Sequence, residues 1–180
     1  MTTNMRNFLF DQIIEAAAAA GIPESAVVLN PEDADDITLP VPRIDVRWET
    51  QRLNKAGGVV GKFASPGEPE RKRTLRRRLY RVQQPITITL WTNDESTFDA
   101  LCESFVRALP RQFADPSGNR VTCSVSSAEW GGFTSALVEV LKKWSKVYHI
   151  EFSAMLTEDT ETPWILDVAP NATYQEAGRE

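Results

Sequence analysis

Two hydrophobic periodicities take turns along this chain. Between residues 4 and 20, Phe8, Ile13, Ala16 and Ala17 recur at near-helical spacing, and Gly21 and Pro23 follow as stop signals. The spacing predicts a helix with one packed side. Residues 26–29 have room for a short strand, and the acidic stretch ending at Pro40 and Pro42 reads as a connecting loop. From 43 to 53 the period falls to two. Ile44, Val46 and Trp48 point one way, while Arg43, Asp45, Arg47, Glu49 and Gln51 point the other, which describes a half-buried strand. A second long strand is expected over 75–91, with Tyr80, Val82, Ile86, Ile88 and Leu90 sharing a face across Gln84. Pro85 lacks a ladder donor, so a bulge or an edge position is expected there.

The roughly 20 residues between these strands hold Gly57, Gly58, Gly61 and Gly67, and loops of that length are functional or disordered. The two strands therefore read as an extended hairpin whose tip, residues 54–74, projects from the body. Thr92, Asn93 and Asp94 are candidate N-caps, with Glu95 placed after Thr92 as in a capping box. Phe98, Leu101, Cys102, Phe105 and Leu109 then mark a helix face that Pro110 ends. A turn at 115–119 leads to a strand bearing Val121, Cys123 and Val125. Residues 130–144 fit a helix or a strand. In the last strand Tyr148, Ile150, Phe152, Ala154 and Leu156 alternate with Val147, His149, Glu151, Ser153 and Met155. The predicted fold is α+β: a mixed or antiparallel sheet of about four strands flanked by two helices, with a long projecting hairpin and an extended C-terminal tail. One domain is assigned to 1–157 and an arm to 158–180. Within that arm Trp164, Ile165, Leu166 and Val168 form an apolar island expected to dock on its own domain or on a neighbour.

Composition adds limits. At 180 residues, 42% hydrophobic and 25% charged, the chain can bury one ordinary core, so neither disorder nor a fibrous repeat describes it. No stretch approaches the ~18 uninterrupted apolar residues of a membrane helix, and the segment from Phe8 onward is broken by Asp11, Gln12 and Glu15. No membrane span or signal peptide is expected. Cys102 and Cys123 sit on periodic apolar faces and are read as buried thiols rather than a disulfide.

The residues of common catalytic and cofactor motifs are missing. His149 is the single histidine, on an alternating strand that accounts for it without catalysis. No Gly-x-Ser-x-Gly, His-Glu-x-x-His or Gly-x-Gly-x-x-Gly occurs. The run from Gly57 to Phe63 imitates a phosphate loop, but it has three residues between Gly57 and Gly61 where that motif has four, and Phe63 replaces the hydroxyl that would meet magnesium. Glu32, Asp33, Asp35 and Asp36 lack the ligand spacing and turn glycine of a calcium loop. No catalytic residue, metal or cofactor is assigned.

The charge distribution is the strongest anomaly. Arg71, Lys72, Arg73, Arg76, Arg77, Arg78 and Arg81 give residues 71–81 a local +7 without an acid, so a chain of net charge -5 carries about -12 elsewhere. Simple alternation puts Arg77 and Arg81 on one face and Arg76 and Arg78 on the other. A core-facing strand could not tolerate that, because buried unpaired guanidinium groups are too costly. The stretch must project or meet acidic groups, either on a neighbouring subunit or as nucleic-acid phosphate. The scarcity of aromatic residues nearby and the acidic remainder favour protein.

The order helix, strand, long glycine-rich loop, strand, capped helix, strand, open segment and strand resembles the tail terminator and tail-completion (head-tail joining) proteins of tailed bacteriophages. The stretches that carry the likeness are residues 43–48, 80–91, 92–109 and 148–156. The resemblance implies a structural, non-enzymatic subunit of the virion tail or neck, assembled in the host cytoplasm as a homohexameric ring. It implies contacts with copies of itself, the tail tube, the sheath and the connector or neck proteins, with DNA passing through the ring. The alternative reading is a nucleic-acid-binding module that uses residues 71–81.

Overall fold

A computed structural model describes residues 5–31, 39–64, 72–130 and 143–163. Its elements are α1 (Met5–Ala19), β1 (Val27–Leu29), β2 (Arg43–Trp48), β3 (Arg52–Lys55), β4 (Val59–Ala64), β5 (Lys72–Thr92), α2 (Glu95–Ala108), β6 (Gln112–Ala114), β7 (Arg120–Trp130) and β8 (Trp144–Pro163). The class is α+β, with two helices and an open, mixed sheet. Among the described residues the sheet has eight strands rather than about four, in the order β1-β2-β5-β8-β7-β6, with β3 and β4 also paired to β5. All pairs are antiparallel except β1 with β2.

Two of the extra strands fall largely in the expected hairpin tip, residues 54–74, although Arg52 and Leu53 of β3 end the expected first strand. The polar residues 52–55 and the glycine-containing 59–64 continue along β5 after β2 leaves it, so the expected hairpin is present and its projecting part is itself hydrogen-bonded ribbon. β8 pairs with β5 from Trp144 opposite Thr92 to Pro163 opposite Lys72. Residues 158–163, expected to begin a free arm, therefore belong to the sheet. The apolar island at 164–168 lies outside the described residues, as do Arg71 and most of the ambiguous segment 130–144, whose ends Trp130 and Trp144 lie in β7 and β8.

One face of the sheet carries the core. Leu9, Ile13, Ala16 and Ala17 of α1 and Phe98, Cys102 and Phe105 of α2 pack with Ile44, Val46, Ile86, Ile88, Leu90, Val121, Ile150 and Phe152. Each of the fully buried Val, Leu, Ile and Phe side chains contributes about 1.5–3 kcal/mol by leaving water. Gly21, at φ +86°, ends α1, with Ile22 N–H donating to the Ala17 carbonyl (2.9 Å) and Gly21 N–H to that of Ala18 (3.0 Å). At α2 the cap is Asp94 rather than Thr92: it accepts from Ser96 N–H (2.9 Å) and from the Ser96 and Thr97 hydroxyls. Those bonds, the Ser96 hydroxyl first, hold its carboxyl below the usual carboxylate range. Cys102 and Cys123 are free thiols, and burial pushes Cys123 up to about 11. No described helix is long and apolar enough to cross a membrane.

Pro85 sits where the ladder to β2 and β3 is irregular, since three residues, Glu49 to Gln51, stand between the partners of Ile86 and Gln83 where β5 has two. It lies in the central strand, opposite Glu151 on one side and Glu49 on the other. Glu49 N–H donates to the Pro85 carbonyl (3.2 Å), and the return bond that proline cannot make is supplied by the buried Gln84, whose Nε2 donates to the Glu49 carbonyl at 2.9 Å. Against β8 a further bulge falls between Arg78 and Tyr80, where Leu79 is the added residue.

The face opposite the helices is also not simply wet. Arg43 and Asp45, expected to face solvent, are 1% and 3% exposed. Arg43 Nε and Nη2 donate to the two Asp45 oxygens (3.0 and 3.2 Å), Arg43 Nη1 to the Leu39 carbonyl (3.0 Å), and Trp91 Nε1 to Asp45 Oδ2 (2.6 Å). The Arg43 guanidinium also lies 4.8 Å from the Trp91 ring centre. Strand alternation cannot reveal this, because it sorts residues by face without saying what covers each face.

Removing one member of a buried pair leaves the other charge uncompensated. Asp45→Ala is expected to lower the unfolding free energy by about 3–5 kcal/mol, read from urea midpoints at constant slope. Asp45→Leu combined with Arg43→Met should recover most of that loss.

Candidate functional site

The helix-covered core stops at Val82 on β5 and Ala154 on β8. Beyond it β4, the first ten residues of β5 and the end of β8 continue as a three-stranded ribbon, about 33 Å long at ~3.3 Å per residue. From Thr74 to Arg81 and from Met155 to Glu161 no residue is buried. Burial therefore does not hold this ribbon; its ladder and its charges do.

The bulge at Leu79 rearranges the arginines. Because β5 advances two residues there while β8 advances one, Arg76, Arg78 and Arg81 stand opposite Asp159, Thr157 and Met155, alternate residues of β8 that share a face. Arg77, opposite Glu158, is left on the other side. The expected split of two and two is thus three and one, and simple alternation missed it because it cannot register an inserted residue.

The acidic end of β8 supplies an acid from the same chain. Arg76 Nε and Nη2 each bond an oxygen of Asp159 at 2.7 Å, a two-pronged pair with Arg76 19% and Asp159 41% exposed. This hydrogen bonding holds the Asp159 carboxyl below the ordinary carboxylate range and raises Arg76. Arg77, Arg78 and Arg81 make no ion pair among the described residues and are exposed. Lys72 and Arg73 continue the strand opposite Pro163 and Thr162.

Arg78 and Arg81 separate two adjoining depressions, of about 450 and 400 Å³, which also share Gln83 and Met155. One runs to Arg120 and Thr122 on β7, the other to Asn54 and Gly57 beside β3. Together they form a groove across four strands on the face opposite the helices. Its floor is a hydrogen-bonded chain: Asn54 Nδ2 donates to Gln83 Oε1 (3.0 Å), and Gln83 Nε2 (3.0 Å) and the Ser153 hydroxyl (3.3 Å) donate to Glu151 Oε1. Arg120, forty residues from the basic strand, was not singled out from the sequence; it stands two residues before Thr122, the first residue of its strand to pair with β8, and its neighbours are visible only once strand order is known.

His149 lies farther along this face. The Thr87 hydroxyl donates to Glu49, and His149 Nδ1 is 3.2 Å from that hydroxyl oxygen and 4.0 Å from Glu49 Oε1. A hydroxyl whose proton is committed to a carboxylate is not arranged for removal of that proton by the imidazole. No cluster of three or more His, Cys, Asp or Glu fit to hold a metal occurs among the described residues. The chain matches no protein-family model and no curated protein sequence.

Two outcomes follow from this geometry. Asp159→Asn is expected to cost under about 1 kcal/mol, since the pair is open to solvent. The Asp159 value in the folded chain is lowered, so its contribution is complete above the ordinary carboxylate value near ~3.9 and is lost as pH falls through the folded value. The stability gap between parent and variant should therefore close in acid, as followed by urea unfolding at a series of pH values. His149→Gln is expected to leave stability and assembly unchanged; loss of a specific turnover in that variant would instead establish a catalytic histidine.

Proposed function

We propose that this protein is a self-associating structural subunit, working as a ring of six that terminates a phage tail tube and joins it to the head-side connector. The observation that carries the reading is the ribbon: some ten residues of paired strand extend past the core, and from Thr74 to Arg81 and from Met155 to Glu161 none is buried. Ordering a long, charged ribbon costs conformational entropy that this ribbon does not recover through burial, and contact with a neighbouring subunit recovers it. Its helix-side face supports the same reading. Leu53, Tyr80 and Leu156 are 54%, 38% and 47% exposed there, Leu53 in the row of Val82 and Ala154, where the core ends, and the other two in the next row on that face. On this reading the working location is the virion tail or neck, the contacts are copies of the chain, tail tube, sheath and connector, and DNA passes through the ring. The alternative, a nucleic-acid-binding module on residues 71–81, is less favoured, since one cation of that strand already holds an acid of its own chain.

Light scattering over a concentration series, with and without tail tubes, tests this. The mass is expected to rise from 20.2 kDa toward six times that value. A single-chain mass under every condition contradicts the proposal. Removal of residues 164–180 keeps every described strand, so that truncation is expected to preserve the circular dichroism spectrum while weakening assembly.

A further inference from the structure

We infer that the groove beneath Arg78, Arg81 and Arg120 binds the acidic segment of a second copy of this chain, the stretch holding Glu32, Asp33, Asp35 and Asp36. The inference rests on the self-association proposed above and names the contact that makes it.

The groove has the chemistry of a carboxylate receptor. Arg78, Arg81 and Arg120 enter no ion pair among the described residues, and guanidinium forks match carboxylates in shape as well as charge. The nearby acids are already engaged, Asp159 by Arg76 and Glu151 by Gln83 and Ser153. Arg81 and Arg120 project from strands on either side of β8, about 10 Å apart at ~4.8 Å per strand. Residues three apart in an extended chain, such as Glu32 and Asp35 or Asp33 and Asp36, stand about 10 Å apart at ~3.3 Å per residue. Among the described residues no aromatic ring lines the groove, and the chain is net negative, so stacked bases or a nucleic-acid backbone would meet a poorer fit.

Chain length decides whose acidic segment it is. Asn30 is fixed beside the end of β2, its N–H on the Val46 carbonyl (2.7 Å) and its side chain accepting from Trp48 N–H (3.3 Å). Leu39 is fixed at the start of β2 by Arg43 (3.0 Å). Arg43 and Trp48 are about 17 Å apart along the strand. The eight steps from residue 31 to 39 extend to at most about 27 Å, so the segment can pass beyond residue 31 toward the ribbon by only about 5 Å. Arg81 lies five residues beyond Ile86, the partner of Trp48, roughly 17 Å farther on. A chain cannot place this segment in its own groove, whereas an adjacent copy can.

A labelled peptide of residues 29–39, titrated into the full chain and followed by fluorescence anisotropy, tests the inference. Binding is expected, weakening as salt rises. It should fall at least about tenfold in a chain carrying R78E, R81E and R120E, which corresponds to losing a single charge-assisted bond. R78Q, R81Q and R120Q together provide a gentler variant if the reversal perturbs folding, and a peptide with all four acids as amides should not bind. If the chain oligomerises in light scattering but the peptide fails to bind, the groove assignment is overturned while self-association stands. If the peptide binds as expected but the chain never exceeds one-chain mass, the ring reading falls and the groove's preference for acidic peptide is upheld. Tighter binding of an unrelated DNA duplex, lost with the same arginines, overturns the assignment in favour of nucleic acid.

Discussion

The ladder between β5 and β8 is the interaction on which the rest of this molecule depends. These strands of 21 and 20 residues run antiparallel from Trp144 opposite Thr92 to Pro163 opposite Lys72. Two helices can cover only part of such a length. The covered half carries Ile86, Ile88, Leu90, Ile150 and Phe152 and behaves as an ordinary core. The uncovered half must be held by backbone bonds and charge, because an exposed ladder gains little from burial. A division follows along a single strand, with a buried core at one end and an exposed, charged surface at the other.

The sheet face opposite the helices shows how polar groups are accommodated without a second core. At one end Arg43, Asp45 and Trp91 form a buried, mutually bonded cluster. On the helix-covered face, between Val82 and Ile86, buried Gln84 makes the bond that Pro85 cannot, which lets a proline sit in a central strand. That repair has a cost, since Gln84 Oε1 finds no partner among the described residues. Toward the ribbon the polar groups become exposed arginines, and a one-residue bulge gathers three of them on one face. Along the face opposite the helices the charges thus run from a buried, mutually bonded cluster to arginines of which Arg76 pairs with Asp159 while Arg78 and Arg81 are exposed.

Much of the fold was legible in the residues because periodicity reports burial. The helices near Leu9 and Phe98 and the strands near Ile44, Ile88 and Phe152 follow directly from spacing. The strands β3 and β4 were not legible: β3 pairs with β5 while its four side chains stay exposed, and the glycine-containing β4 lacks a clean alternation, so neither shows the period of a half-buried strand. The reach of β8 past Thr157 was hidden for the same reason, since Glu158, Asp159 and Glu161 read as tail until paired with a basic strand. The basic strand stood out by composition alone. Its geometry did not, because the bulge at Leu79 and the contribution of Arg120 depend on register and strand order.

The central claim is that the ribbon is stabilised by a neighbouring subunit and the core by the chain itself. Peptide-resolved amide hydrogen exchange, compared between dilute and self-associated protein, reads both ends of β5 at once. Residues 82–92 should be protected in both states, while residues 72–81 should exchange rapidly when dilute and become protected on association. Equal exchange of residues 72–81 in the two states would contradict the account.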